Sequence, residues 1–209
     1  ANDINESGWV VGYYHARKDY THAFLWTPTG GMVDLGTLGG TLSSAVDINE
    51  NGWVVGDSVN ASGYSHACLW NADGIFDLGA LTTWSYAVDI NEDGWVVGYG
   101  ATASGYSHAF LWTPTGGMVD LGTLGGAYSN AVKINDVGQV VGYSWNATGY
   151  QHACLWNADG IFDLGTLGGT DSYAVDINDA GQVVGDSTNA SGYTHAFLWT
   201  PTGGMVDLG

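Results

Sequence analysis

The stretch AVDINENGWVVGDS (45–58) places two short apolar runs on either side of a turn, and near-copies of it fill the chain. AVDIN and WVVGDS are too short for helices and rich in β-branched residues. Each reads as a strand, with the ENG between them as a hairpin turn. The pattern A-x-[DK]-I-N begins at Ala1, Ala45, Ala87, Ala131 and Ala174, with spacings of 44, 42, 44 and 43 residues. From the Asp or Lys of this pattern to the Gly of VVG is always nine residues, as from Asp47 to Gly56 or Lys133 to Gly142. From that Gly to a following His is always ten, as from Gly56 to His66 or Gly185 to His195. Length varies only where TPTGG alternates with NADG and in the connections of the TLGGTLSS type. Rigid spacing with slack confined to Gly, Thr and Asn stretches predicts paired strands joined by turns.

Each unit holds four strand candidates. In the second they are AVDIN (45–49), WVVGDS (53–58), HACLW (66–70) and IFDLG (75–79). Four antiparallel strands in about 42 residues make one blade of a β-propeller. Such a sheet is apolar on both faces and must be covered on both. The expected fold is therefore all-β: a single domain over 1–209, a five-bladed β-propeller with four antiparallel strands per blade. Its units are 1–44, 45–86, 87–130, 131–173 and 174–209. AVDIN is expected innermost and [MI][VF]DLG outermost, with the ring closed by packing of the last blade on the first. The LGTLGG stretch reads as a Gly-rich bend between blades, since no helix follows it to hold a phosphate.

Three Lys+Arg against 21 Asp+Glu give a formal charge of −18, which excludes nucleic acid as a partner. It also argues against anionic lipid, and no apolar run is long enough to insert into a membrane. With 13% aromatic and 45% apolar residues, this is not the acidity of a disordered tail. Cys68 and Cys154 occupy equivalent positions, each replacing a Phe, and read as small buried side chains, not a disulfide pair.

HAFLW at 22–26, 108–112 and 195–199, its variant HACLW at 66–70 and 152–156, LGTLGG and AVDIN-x-x-G-x-VVG together resemble the HAF-type probable extracellular repeats. The likeness covers all five units, with LGALTTWS in unit 2 as a departure. It implies a secreted or surface-exposed protein of propeller type, and no defined activity.

The histidines His22, His66, His108, His152 and His195 recur one per unit, each two residues after a Tyr. Ligands tied to separate blades point around a ring and do not converge on a metal. They read as structural, packed between blades and bonded to backbone or an acidic neighbour. DINENG (47–52) and DINEDG (89–94) match the start of a calcium loop, but Val55 and Ser58 stand where later ligands belong. No cofactor is expected, with calcium the one candidate. Asn60, Asn146 and Asn189 begin NAS or NAT sequons and are candidate glycosylation sites. Trp84, Tyr86, Tyr128, Trp145 and Tyr173 lie in variable contexts, where aromatic faces beside Asn and Asp suit sugar rings.

Near-identical units leave few residues distinct enough for a catalytic set; YHARKD (14–19), Lys133 and Trp84 do not form one. The expectation is a non-enzymatic binding or adhesion module at the cell surface or outside the cell. Its partners would be glycans or surface polymers, or copies of itself. The alternative is a structural subunit of an extracellular filament or coat.

Overall fold

In a computed structural model, which describes residues 1–17 and 20–209, all twenty elements are strands. Lys18 and Asp19 of YHARKD lie outside the described residues. The first strands of the five blades are Asp3–Ile4, Gly39–Ile48, Ser85–Ile90, Gly125–Ile134 and Gly168–Ile177. The second are Val10–Arg17, Val54–Asn60, Val96–Ala101, Val140–Asn146 and Val183–Asn189. The third are Tyr20–Thr27, Ser65–Asn71, Ser107–Thr113, Gln151–Asn157 and Thr194–Thr200. The fourth are Gly31–Gly36, Gly74–Gly79, Gly117–Asp120, Gly160–Gly165 and Gly204–Asp207. Within each blade they pair antiparallel in chain order, so the AxDI strand forms one edge and the DLG strand the other. One parallel bridge, Thr21 with Leu42, links the first two blades into a single sheet.

The hairpin glycine of VVG is dictated by a bulge. The register slips between Ala45 and Asp47, opposite Gly56. A Cβ on Gly56 would lie 2.0 Å from the Ser44 carbonyl oxygen, so no larger residue fits. Gly98, Gly142 and Gly185 meet the same backbone.

The core is four copies of one interface. The leading face of each blade offers the second Val of VVG, the Ala and Leu of HA-x-LW, and the Leu of DLG. The trailing face of the next offers the Ala and Ile of A-x-[DK]-I, the first Val of VVG, and Phe or Cys. Val55, Ala67, Leu69 and Leu78 thus pack on Ala87, Ile90, Val96 and Phe110. Val141, Ala153, Leu155 and Leu164 repeat this against Ala174, Ile177, Val183 and Phe197. Where the trailing face carries Cys68 or Cys154, the neighbouring Trp70 or Trp156 sinks to full burial. The smaller side chain makes room for the indole, which keeps the interface filled. Both cysteines are buried free thiols, and burial pushes their ionisation well up.

Polar side chains zip the interfaces at the turn end. Asn5 Nδ2 donates to the Asn49 carbonyl at 3.1 Å, Asn49 to Asn91 at 3.1 Å, Asn91 to Asn135 at 3.2 Å and Asn135 to Asn178 at 3.0 Å. Running the same way, the Glu6, Glu50, Glu92 and Asp136 N–H groups each donate to the acidic side chain one blade on. In the opposite sense, Asp3, Asp47 and Asp89 accept from the N–H of Ile48, Ile90 and Ile134. The DIN[ED] motif is thus an inter-blade zipper, and Asp47 and Asn49 are already committed to it.

Two expectations are corrected. The TLGG stretch is not simply a bend: in blades 2, 4 and 5 its Gly-Gly opens a ten-residue first strand, Gly39–Ile48, Gly125–Ile134 and Gly168–Ile177. This half pairs Gly39 with Asn60 on the second strand of its own blade and sets Gly40 against the Val59 carbonyl, too close for a Cβ. LGALTTWS lacks that glycine pair; the strand there begins at Ser85, and Thr82 Oγ1 bonds the Ala101 carbonyl instead. The ring, moreover, does not close. Ile4 is 62% exposed where Ile48 is 5%, and Val184 is 41% exposed where Val55 is 0%. Among the described residues, the leading face of blade 5 and the trailing face of blade 1 are thus not packed on one another.

Candidate functional site

Antiparallel order puts the DIN[ED] turns at one end of every blade. The Asn-Ala-Ser/Thr loops and the crossovers lie at the other. At this second end the residue after VVG and the residue before the first-strand Ala are paired across the strands: Ser44 with Asp57, Tyr86 with Tyr99, Asn130 with Tyr143, and Tyr173 with Asp186. These positions vary between units while the apolar core beneath them does not.

They assemble an aromatic belt. Trp84 and Tyr86 lie 5.5 Å apart and Tyr86 and Tyr99 5.6 Å. Tyr143 contacts Tyr173 across a blade boundary at 4.8 Å and Trp145 at 5.9 Å. Trp145 meets Tyr128 at 5.3 Å, and Tyr128 meets Tyr106 at 5.0 Å. All five aromatic residues singled out in the sequence join this belt: Trp84 and Tyr86 in one group, Tyr128, Trp145 and Tyr173 in the other. Sequence reasoning missed Tyr99, Tyr106 and Tyr143; the variable residue after VVG was the available signal for two of them. Burial, with the charges of Tyr86, Tyr143 and Asp57, raises the Tyr99 phenol above its ordinary value.

Polar groups punctuate the belt. Asn130 Nδ2 donates to Tyr143 Oη at 2.6 Å, while its Oδ1 accepts from Ser107 Oγ at 3.0 Å. Asp57 is half-buried, and no hydrogen bond reaches its carboxylate among the described residues. Burial pushes it up to about 6. A hollow of about 220 Å³ beside it is lined by Tyr13, Thr21, Leu42, Ser43 and Ser44. A second, of about 130 Å³, lies by Tyr173, Asp186 and Asp171. The belt can therefore offer ring faces, hydroxyl donors and carboxylate acceptors in alternation, the set that holds a polyhydroxylated ligand.

The recurring histidines lie inside single blades, not between them. His22, His66, His108, His152 and His195 each place Nδ1 2.8–2.9 Å from the Asp of their own DLG strand, Asp34, Asp77, Asp120, Asp163 and Asp207. In blades 2, 4 and 5, Nε2 faces the side-chain nitrogen of Asn60, Asn146 or Asn189 at 3.3–3.4 Å. A ring that receives from Asn at Nε2 donates from Nδ1 to the carboxylate, so the pair ties the third strand to the fourth. The same three Asn residues accept, through Oδ1, the backbone N–H groups of their own turns. The amide nitrogen that would carry a glycan is thus the donor to a histidine.

The fold defines a class: propeller-type blades of four antiparallel strands, set in an arc. No family model matches the chain, and no curated protein matches it. Solved propeller structures do. The β-propeller domain of the Trilobed protease from Pyrococcus furiosus, described as having an open velcro topology, has a TM-score of 0.64 at 15% identity, covering 100% of this chain and 66% of that one. A TolB-type structure from Agrobacterium tumefaciens gives 0.62 at 14% identity, covering 98% and 82%. TolB from Acinetobacter baumannii gives 0.60 at 11%, covering 93% and 49%. At such identities the likeness is one of fold.

Proposed function

We propose that this chain is a non-enzymatic binding module that works outside the cell and takes glycans or surface polysaccharides on its aromatic belt. The observation that carries the reading is the run of ring contacts from Trp84 through Tyr86 and Tyr99, and from Tyr143 through Trp145 to Tyr106, in a face whose other members are Asp and Asn. Sugars present apolar C–H faces and hydroxyl edges, and such a face answers both. The net charge of −18 steers the choice toward neutral or cationic polymers and away from polyanions. The resemblance to extracellular repeats supports the location.

The test is affinity electrophoresis and calorimetry against a panel of neutral, amino-containing and acidic polysaccharides. Retardation by a neutral or amino polymer is expected. Trp145→Ala or Tyr86→Ala should each weaken it by about tenfold, as for an anchoring ring worth ~1.4 kcal/mol. No retardation by any polymer, or retardation unchanged in both variants, would overturn the assignment.

A further inference from the structure

We propose that the chain carries two matched pockets for a small, uncharged aromatic molecule, one between blades 1 and 2 and one between blades 3 and 4. Both lie at the turn end of the blades, opposite the aromatic belt, and do not depend on the glycan reading. The first has a volume of about 360 Å³ and the second about 380 Å³, within the range of small-molecule sites. In the first, Trp9, Leu25 and Leu35 of blade 1 join Val54 and Trp70 of blade 2 as walls. In the second, Trp95, Leu111 and Leu121 of blade 3 join Val140 and Trp156 of blade 4. Trp53 adds a further indole to the first pocket, where Gln139 lines the second.

Two features of the alternating units shape these hollows. A Cβ on the turn glycine Gly52 would stand 2.5 Å from Trp9 Cζ3, and one on Gly138 2.6 Å from Trp95 Cζ3. Each indole therefore rests on bare backbone of the next blade and is held there as a wall. Blades 2 and 4 also close their last hairpin with NADG, one residue shorter than the TPTGG of the others. In blades 1 and 5 the proline of that turn comes within 3.9 and 3.6 Å of a Cβ placed on Gly8 and Gly181. Ala72 and Ala158 carry only a methyl at the proline's position, and they line the two pockets.

The polar groups at both sites are donors in want of an acceptor. Asn71 and Asn157 line the pockets, each with Oδ1 accepting from the N–H of Asp73 or Asp159 at 2.8 Å. That bond fixes the amide, whose nitrogen makes no hydrogen bond among the described residues. The indole N–H groups of Trp70 and Trp156 are buried behind the walls and also lack a partner among the described residues. Trp26, Trp112 and Trp199, in the same position of the other blades, stay partly in water. An orphaned buried donor costs stability, and the cost recurs at the two hollows. Charge narrows the choice further. No cation lines either pocket, Asp159 is the one ionisable group in the linings, and the chain carries −18, so an anion is repelled. A flat neutral ring gains from the indoles and the apolar walls, and an oxygen on it accepts from the Asn amide.

Titration with prodan, a neutral naphthyl ketone whose emission moves to the blue when it leaves water, tests the pockets. Saturable, blue-shifted binding of two probes per chain is expected, one for each pocket. Trp9→Ala and Trp95→Ala each take a ring from one pocket and should weaken that site by about tenfold, the double variant weakening both. Ala72→Phe and Ala158→Phe change exposed turn residues, so these variants should fold, and each should narrow one site. Anilinonaphthalene sulfonate, an anion of similar size, should bind about tenfold more weakly than prodan. Trp145→Ala, in the belt, should leave prodan binding unchanged, which separates this result from the fate of the glycan reading. Absence of saturable prodan binding would overturn the proposal. So would binding that is unchanged in both double variants, or that is as tight for the anion as for the ketone.

Discussion

Lys133 Nζ lies 2.5 Å from Asp89 Oδ1, across the boundary between blades 3 and 4. At this position the other blades carry Asp3, Asp47, Asp89 and Asp176, so one lysine answers a column of carboxylates along the inner strands. Asp89 is almost wholly buried, and burial holds its carboxyl above the ordinary value even with Lys133 beside it. The neighbouring carboxylates Asp89, Asp47 and Asp176 in turn hold the Lys133 ammonium above its own ordinary value, against the effect of its burial.

Removing that ammonium should expose the problem it solves. Lys133→Met leaves Asp89 with the Ile134 N–H, at 2.7 Å, and the Asp47 side chain as partners, and with no cation. A loss of about 1–3 kcal/mol is expected in denaturant unfolding. It falls below the loss for a fully buried pair because the Lys133 side chain is 42% exposed. The loss should shrink as pH falls and Asp89 takes up a proton. An equal loss at neutral and acid pH would contradict the pairing.

Acid should stabilise the protein before it harms it. Asp47 is pushed up to about 6 by burial and by the Asp89 charge, and Asp57 to about 6 by burial. Both values lie above the unfolded value of 3.8, so the folded chain holds more protons between pH 4 and 6. The stability from these groups is fully present below the unfolded value and is lost as pH rises through about 6. Melting temperature should therefore rise from pH 7 to pH 5. Asp34 and Asp207, held low by their histidine and backbone partners, act oppositely and lose their contribution at lower pH. Asp57→Asn should remove part of the gain; a flat profile from pH 7 to 5 would refute it.

The same substitution in two copies of the zipper should have unequal cost. Asn49 is buried, donates to Asn91 O and accepts from the Trp53 N–H at 2.9 Å. Asn49→Ala orphans the Trp53 N–H and leaves the Asn91 carbonyl with the Gly94 N–H alone, and should cost about 1–3 kcal/mol. Asn178→Ala, at the exposed end of the arc, should cost about 1 kcal/mol or less in the monomer, from loss of its cap on the Gln182 N–H. Comparable losses would mean that the inter-blade bond is not what matters.

Gly56→Ala should be among the most damaging single changes. Its Cβ would meet Ser44 backbone oxygen, which cannot move without breaking the inner strand. A loss above about 3 kcal/mol, or failure to fold, is expected by chemical denaturation. Gly63→Ala, in open space with φ of +85°, should cost only about 1 kcal/mol from backbone strain.

The repeat, its strand content, the strand order within a blade and the burial of Cys68 and Cys154 were all legible in the residues. Local alternation and constant spacing encode which side of a strand is apolar, and that information is contained within a single unit. The members of the aromatic belt were legible only as separate candidates, because Tyr143 and Tyr173 meet across a blade boundary thirty residues apart in sequence. The histidine's partner was hidden for a similar reason: Asp77 and Asp207 sit on a separate strand, eleven or twelve residues on, until the hairpin brings them against the ring. Whether the circle closes could not be read from the units at all. Closure depends on packing between the first and last blades, which no single repeat contains, and here Ile4 and Val184 are left 62% and 41% exposed.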